Sequence, residues 1–411
     1  MSALDLCVRN ATVPGIDDVP IDIGVADGRI VTIGKALPDA SSEFDAQGRI
    51  ALPGFVETHI HLDKSCILDR CSSKRGNLEE AIAEVARLKS GFTEQDVAKR
   101  ASRTLRKCIV NGTTKMRTHV EVDPVVGMRG YHGVKAAIAD FAWAIDVEIC
   151  VFPQEGLLNN PGTDELLVAG LRDGAQVIGA APYTDSDPHG QIDRIFELAR
   201  EFDVDIDMHL DFGPDAGQLD LEHVCRRADE FGWGGRVAIG HVTKLAQADP
   251  ERLEHAARIM SDSGVALTVL PATDLFLMHR DHAHSVPRGV TPVHKMLEHG
   301  VNCSLSTNNV LNPFTPFGDC SLVRMANLYA NIGQVGARES TVECLNMVSA
   351  RSARLMNQPE YGIAVGNPAD IVVIDATDEA MAVAELAQPI VGYKAGRQSF
   401  SHALPELHPP S

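Results

Sequence analysis

A chain of 411 residues that is 44% hydrophobic and 23% charged can bury a large core and is too long for a minimal single domain. Its formal net charge of −19, with no compensating basic cluster, excludes the positive face that nucleic-acid binding requires. The first ten residues carry no basic segment followed by an apolar run, and no stretch reaches the ~20 apolar residues that span a bilayer, so a cytoplasmic location is expected.

In chain order, residues 5–8, 21–25 and 29–33 read as short strands between polar turns. Eight apolar, β-rich runs follow at 55–61, 113–120, 148–152, 177–181, 204–209, 236–241, 265–270 and 302–307. Segments of helical spacing separate them, the clearest being Leu78–Lys89 and Glu94–Val110. Parallel strands buried on both faces and alternating with helices are what a (β/α)8 TIM barrel requires. Residues 369–374 and 390–394 regain the character of the first strands, which predicts that both termini meet in one small β-domain. The expected organisation is therefore α/β. Residues 1–52 and 358–402 form a β-sandwich domain, 53–357 the catalytic barrel and 403–411 a frayed tail. Nine single cysteines with no CxxC pair read as reduced, mostly buried thiols.

Residues two apart on a strand share a face, so His59 and His61 at the end of the first barrel run can reach one ion while Ile60 points into packing. His119 ends the second run, His209 the fifth and His241 the sixth, while Asn308 and Asn309 follow the eighth. In a barrel, the C-terminal strand ends form the active-site rim. A lone histidine such as His119 has an ordinary structural reading. Four strand-end histidine sites at one rim point to a metal, because imidazole is the commonest neutral ligand. His279, His282 and His284 are expected on a loop over the mouth, outside that metal site. Asp63, Lys64 and Glu121 lie near the rim and either contact substrate or, as charges there more often do, are solvated or paired with one another. Asp207, two residues before His209, either supports that ring from behind or, the commoner case, is one of several acidic residues around the fifth strand.

Residues 52–64, LPGFVETHIHLDK, resemble the opening signature of the amidohydrolase superfamily. The segments 117–120 (RTHV), 152–156 (FPQEG), 205–209 (DIDMH), 313–318 (PFTPFG) and 361–366 (YGIAVG) extend the resemblance over almost the whole chain, to the branch of cytosine deaminases and N-isopropylammelide amidohydrolases. It implies a TIM barrel and a hydrolase of C–N bonds other than peptide bonds, with one divalent cation, Zn or Fe, on His59, His61 and His209. It also implies that His241 steadies the attacking water and that Gln154 reads the amide edge of the substrate, with His119 grouped beside it. Phe314 either borders the substrate ring or anchors its own loop. No lysine ends the fourth strand, which implies a single-ion site.

Two positions depart from the family pattern. Asn308 stands where the family has an aspartate; an amide lends an oxygen to a cation but takes no proton from water, so Asn308 either ligates the metal or marks the loss of the usual base. Phe212 stands where cytosine deaminases carry a proton-shuttling glutamate. Asp211, two residues past His209 and able to share its face, is therefore assigned the general-base role. The expected reaction is release of ammonia or an amine from a pyrimidine-, triazine- or pterin-like ring. Ring-opening hydrolysis of a cyclic amide or imide stays open, as does a binding protein that kept the barrel and lost the base. The expected partner is a small heterocyclic substrate, with neither nucleic acid nor membrane, and the family's oligomers leave a homo-oligomer open.

Overall fold

Alternating apolar residues set the first strands of the computed structural model, which describes residues 4–408, so the end of the tail expected at 403–411 lies outside the described residues. These strands are β1 (Leu4–Val13), β2 (Asp17–Ala26), β3 (Arg29–Gly34), β4 (Ala40–Asp45) and β5 (Ile50–Pro53). In β1, Leu6 and Val8 face a small core, and a bulge between Val8 and Ala11, with Asn10 at φ 50°, turns Ala11 and Val13 to the same side. β4 was not foreseen. Its sequence ASSEFD is polar and exposed, and what makes it a strand is parallel pairing with the edge of β1, from Leu4 opposite Ala40 to Arg9 opposite Asp45.

The barrel strands are β6 (Phe55–Ile60), β7 (Thr113–Glu121), β8 (Asp146–Phe152), β9 (Val177–Ile178), β10 (Asp205–Leu210), β11 (Val237–His241), β12 (Val265–Val269) and β13 (Cys303–Leu305). They pair in parallel in sequence order, as predicted for a (β/α)8 barrel. Main-chain to main-chain closure is found at the rim, where Asn308 N donates to His59 O and His61 N donates to Asn308 O, both at 2.9 Å. Lower down, another segment enters the seam: Leu305 N donates to Met347 O at 2.8 Å and Val56 N to Val348 O at 3.0 Å.

Helices α1 (Leu78–Lys89) and α2 (Glu94–Val110) occupy the predicted spans. Each starts at a side-chain cap: Asn77 Oδ1 accepts from Glu80 N, and Thr93 Oγ1 accepts from Asp96 N. α2 buries Val97, Ala101, Leu105 and Cys108, one stripe at helical spacing, against the barrel. After the barrel, β14 (Ile371–Ile374), β15 (Pro389–Lys394) and β16 (Arg397–Ser401) join the first strands in the order β16-β15-β14-β5-β1-β2-β3, with β4 branching from β1. Both chain ends thus share one sheet and a core that includes Leu6, Val8, Ile23, Ile371 and Val391. All nine cysteines are free, eight of them buried. No helix among the described residues is long and apolar enough to cross a membrane.

Candidate active site

The residues of the rim inherit their positions from the strand ends. His59 lies in β6 and His61 one residue beyond it, His209 in β10, His241 at the last position of β11, and Asn308 three residues past β13. The chain leaves three of these strands through left-handed backbone, at Asp211 (φ 47°), His241 (φ 72°), Val242 (φ 48°) and Asn308 (φ 61°). Such conformations cost about 1 kcal/mol or more for most L-residues, least for Asn and Asp, and collect at functional sites.

The structure brings His59, His61 and His209 together. His209 Nε2 lies 3.1 Å from His59 Nε2 and 3.0 Å from His61 Nε2. Two nitrogens around a tetrahedral ion with arms of about 2.0–2.1 Å stand roughly 3.3–3.4 Å apart, so this spacing suits a cation. Gly240 makes room for the arrangement, since a Cβ there would meet the His59 ring at 3.2 Å. Burial holds all three rings neutral, with His59 lowered to about 3 and His61 and His209 well below the ordinary histidine value. A further ligand is at hand in Asn308 Oδ1, which is buried and has no partner among the described residues. Three imidazole nitrogens and an orphaned amide oxygen make a donor set that fits one divalent ion.

His119 does not border the substrate cavity as expected. It sits two residues before the end of β7, so its ring lies one layer below the rim and stacks on His59 at 3.7 Å between centroids. It shares with His59 and His209 a spacing compatible with metal ligation, and its Nε2 is 3.4 Å from Asp207 Oδ1. Asp207 is more than one acid among several. It is fully buried behind the cluster, 3.7 Å from His59 Nδ1, and receives a hydrogen bond from Arg117 Nη1 at 2.9 Å. It supports the ligand rings from behind.

Asp211 is likewise misplaced by the sequence reading. Its Oδ1 accepts from Asp220 N at 3.0 Å and from Lys244 Nζ at 2.9 Å, and its Oδ2 accepts from Leu221 N at 3.0 Å. Both oxygens are spent on the start of helix Leu221–Phe231, and Asp211 does not line the cavity. The left-handed turn at Asp211 breaks the two-residue strand periodicity on which its assignment rested. Instead His241 has a carboxylate partner that no sequence signal marks: Asp274 Oδ1 accepts from His241 Nδ1 at 2.5 Å. Asp274 lies 33 residues away on a helix, Pro271–Leu277, that the sequence reading did not resolve.

A narrow cavity lies above the histidines. Its wall includes His61, Lys64, Gln154, His209, His241 and Phe314, which brings Gln154 and Phe314 to one cavity with the histidines. Phe314 carries the Lys64 ammonium 5.3 Å above its ring. Lys64 is buried rather than solvated; it pairs with Glu121 Oε2 at 3.4 Å, one of the expected outcomes, and donates to Gln154 Oε1 at 2.9 Å. Leu78, Phe212 and Leu277 separate this cavity from an outer cleft that His279 and His282 line, in keeping with a loop over the mouth.

A parallel barrel with histidines gathered at one rim defines a protein of the amidohydrolase type. The profile of the amidohydrolase family matches residues 93–400, and the chain belongs to that family. It is 28% identical over 402 residues to N-isopropylammelide isopropyl amidohydrolase of Pseudomonas sp. (strain ADP), covering 96% of each chain. It is 26% identical over 398 residues to a pterin deaminase of Rhizobium rhizogenes (strain K84 / ATCC BAA-868), covering 91% of this chain and 89% of the relative. Among solved structures, 5-methylcytosine deaminase from Klebsiella pneumoniae, liganded with phosphonocytosine, superposes with a TM-score of 0.93 at 27% identity, over 98% of this chain and 100% of the other.

Proposed function

We propose that this protein is a metal-dependent hydrolase that deaminates a small nitrogen heterocycle, releasing ammonia or an amine from a ring carbon. The observation that carries the reading is the convergence of three neutral imidazoles beside a cavity walled by Lys64, Gln154 and Phe314. The named relatives support it, since all act on nitrogen heterocycles by name. A divalent cation, Zn or Fe, held by His59, His61, His209 and the Asn308 oxygen supplies Lewis acidity and a nucleophile at neutral pH.

The general-base role passes from Asp211 to His241. Asp274 takes the hydrogen on His241 Nδ1, so Nε2 carries the lone pair on the cavity side and accepts the proton of the attacking water. Asp274 stabilises the resulting imidazolium, and Nε2 then returns the proton to the departing nitrogen. One residue thus serves as base and acid, which suits a cavity whose described wall contains no carboxylate. Gln154, Lys64 and Phe314 hold the ring.

Elemental analysis and an ammonia-release screen over pyrimidines, triazines and pterins test the reading. About one equivalent of divalent metal and release from at least one ring class are expected. A protein that stays empty and indifferent to added divalent ions, or a ring-opened product without ammonia or amine, overturns it. Asp274→Asn is expected to lower kcat by about 10²–10⁴-fold with metal content unchanged.

A further inference from the structure

The wall opposite the histidines offers hydrogen-bond donors, and its own hydrogen bonds fix that polarity. Asn312 Oδ1 accepts the backbone N–H groups of Phe314 at 3.0 Å and Thr315 at 3.1 Å, which leaves Asn312 Nδ2 to donate to Asn309 Oδ1 at 2.7 Å. Asn309 is left with its Nδ2. Lys64 imposes the same orientation on Gln154: an ammonium has no acceptor, so the atom it meets at 2.9 Å is Oε1, and the free atom is Nε2. Among the described residues Asn309 Nδ2 has no protein partner, while Gln154 Nε2 gives one N–H to the Tyr183 hydroxyl and keeps a second; Asn309, Gln154 and Tyr183 line the cavity with Lys64. Of its three N–H groups, Lys64 directs one to Gln154 and one toward Glu121, which leaves a third.

Charge points the same way. No described residue of the wall is acidic; Lys64 brings an ammonium to it, whose counter-ion, Glu121 Oε2 at 3.4 Å, lies behind the wall. Asn308 stands where a carboxylate would cancel another. With a divalent cation bound, its charge would meet no carboxylate in the wall.

We propose that the site selects an oxo-heterocycle bound as its anion, an ionised lactam or imide edge that presents carbonyl oxygen and deprotonated nitrogen as neighbouring acceptors to Lys64, Gln154 and Asn309. The proposal deepens the hydrolase reading by naming its substrate class, and rests on it for the cation and for the chemistry at the far side of the ring. A ring that offers N–H to this wall sets donor against donor and leaves buried groups unpaired, which is how a polar site rejects a near-isostere.

Calorimetric titration of metal-loaded protein at neutral pH, with barbiturate as the anionic probe and dihydrouracil as the neutral one, reads the preference without turnover. Barbiturate is expected to bind about tenfold more tightly or better. Lys64→Met and Asn309→Asp are each expected to weaken barbiturate by about tenfold while leaving dihydrouracil nearly unchanged. Gln154→Leu, which removes a donor and adds no charge, makes the same prediction should either variant melt early. Equal or tighter binding of dihydrouracil, no binding of barbiturate, or undiminished barbiturate affinity in the folded variants overturns the proposal. Ammonia release from a neutral ring by protein that ignores barbiturate would remove this proposal and spare the hydrolase reading; tight barbiturate binding with no turnover on any ring would do the reverse.

Discussion

Near its rim the barrel holds two clusters of ligating side chains that differ in what already fills their centres. Glu121, Asp123 and Glu155 bring three carboxylates within ligand distance of one another, as His59, His119 and His209 bring three imidazoles. In the acidic cluster Lys89 donates to all three carboxylates, at 2.6 Å to Glu155, so an ammonium sits where a metal would. Burial alone would favour neutral Lys89, yet the three carboxylates outweigh it and hold its pKa above the usual lysine range. The histidine cluster contains no such protein cation. Its rings are neutral, the Nε2 atoms of His59 and His61 both face that of His209 with no protein cation between them, and Asn308 Oδ1 is unpartnered among the described residues. Proximity of ligand atoms is common to both clusters; uncompensated lone pairs distinguish the one suited to a metal.

The comparison breaks most visibly in metal content. His209→Ala is expected to reduce bound metal from about one equivalent to near zero by elemental analysis, while Lys89→Met leaves it unchanged. A Lys89→Met protein that lost its metal would mean that the two clusters act as one. Lys89→Met is instead expected to cost about 3–5 kcal/mol in urea unfolding, because three buried carboxylates lose their counter-ion. Asp211→Asn separates support from chemistry: it is expected to cost about 1–2 kcal/mol through the start of helix Leu221–Phe231 while kcat stays near that of the parent. A collapse of kcat in folded, metal-loaded Asp211→Asn would restore the base assigned from sequence.

The smallest effect lies far from the rim. Burial alone would raise the Asp22 carboxyl, but the N–H groups of Asn10 and Leu37 and the Arg9 guanidinium hold it below the ordinary aspartate value. With the folded pKa below the unfolded one, the stabilisation is present above the unfolded value of about 3.9 and fades as the pH falls through the folded one. The difference in melting temperature between the parent and Asp22→Asn is therefore expected to shrink below pH ~4.

Periodicity carried most of the architecture into the sequence. α1 and α2 were legible to the residue because caps and apolar stripes are local signals, and the barrel strands were legible as apolar runs. β9 and β13 are shorter than their runs, since hydrogen bonding to a neighbour rather than hydrophobicity decides where a strand stops. At the rim, the clustered histidines were legible because His59 and His61 stand two apart at one strand end and His209 and His241 lie at the ends of two others. Asp274 was not, because its pairing with His241 spans 33 residues and exists only once β11 and the helix after β12 are in place. Lys64 was visible as part of HLDK, but nothing local says that a lysine will turn inward between Phe152 and Phe314. Asp211 failed for a local reason: strand alternation ends where the backbone turns left-handed.

The seam between the first and last barrel strands couples mechanical integrity to chemistry. The main-chain bonds that join the two strand ends at the top involve His59, His61 and Asn308 themselves, because Met347 and Val348 wedge the ring open below. An ion gripped from both sides of that junction would act as a rivet in the cylinder, so emptying it would loosen the hoop at the place where the water must be aimed.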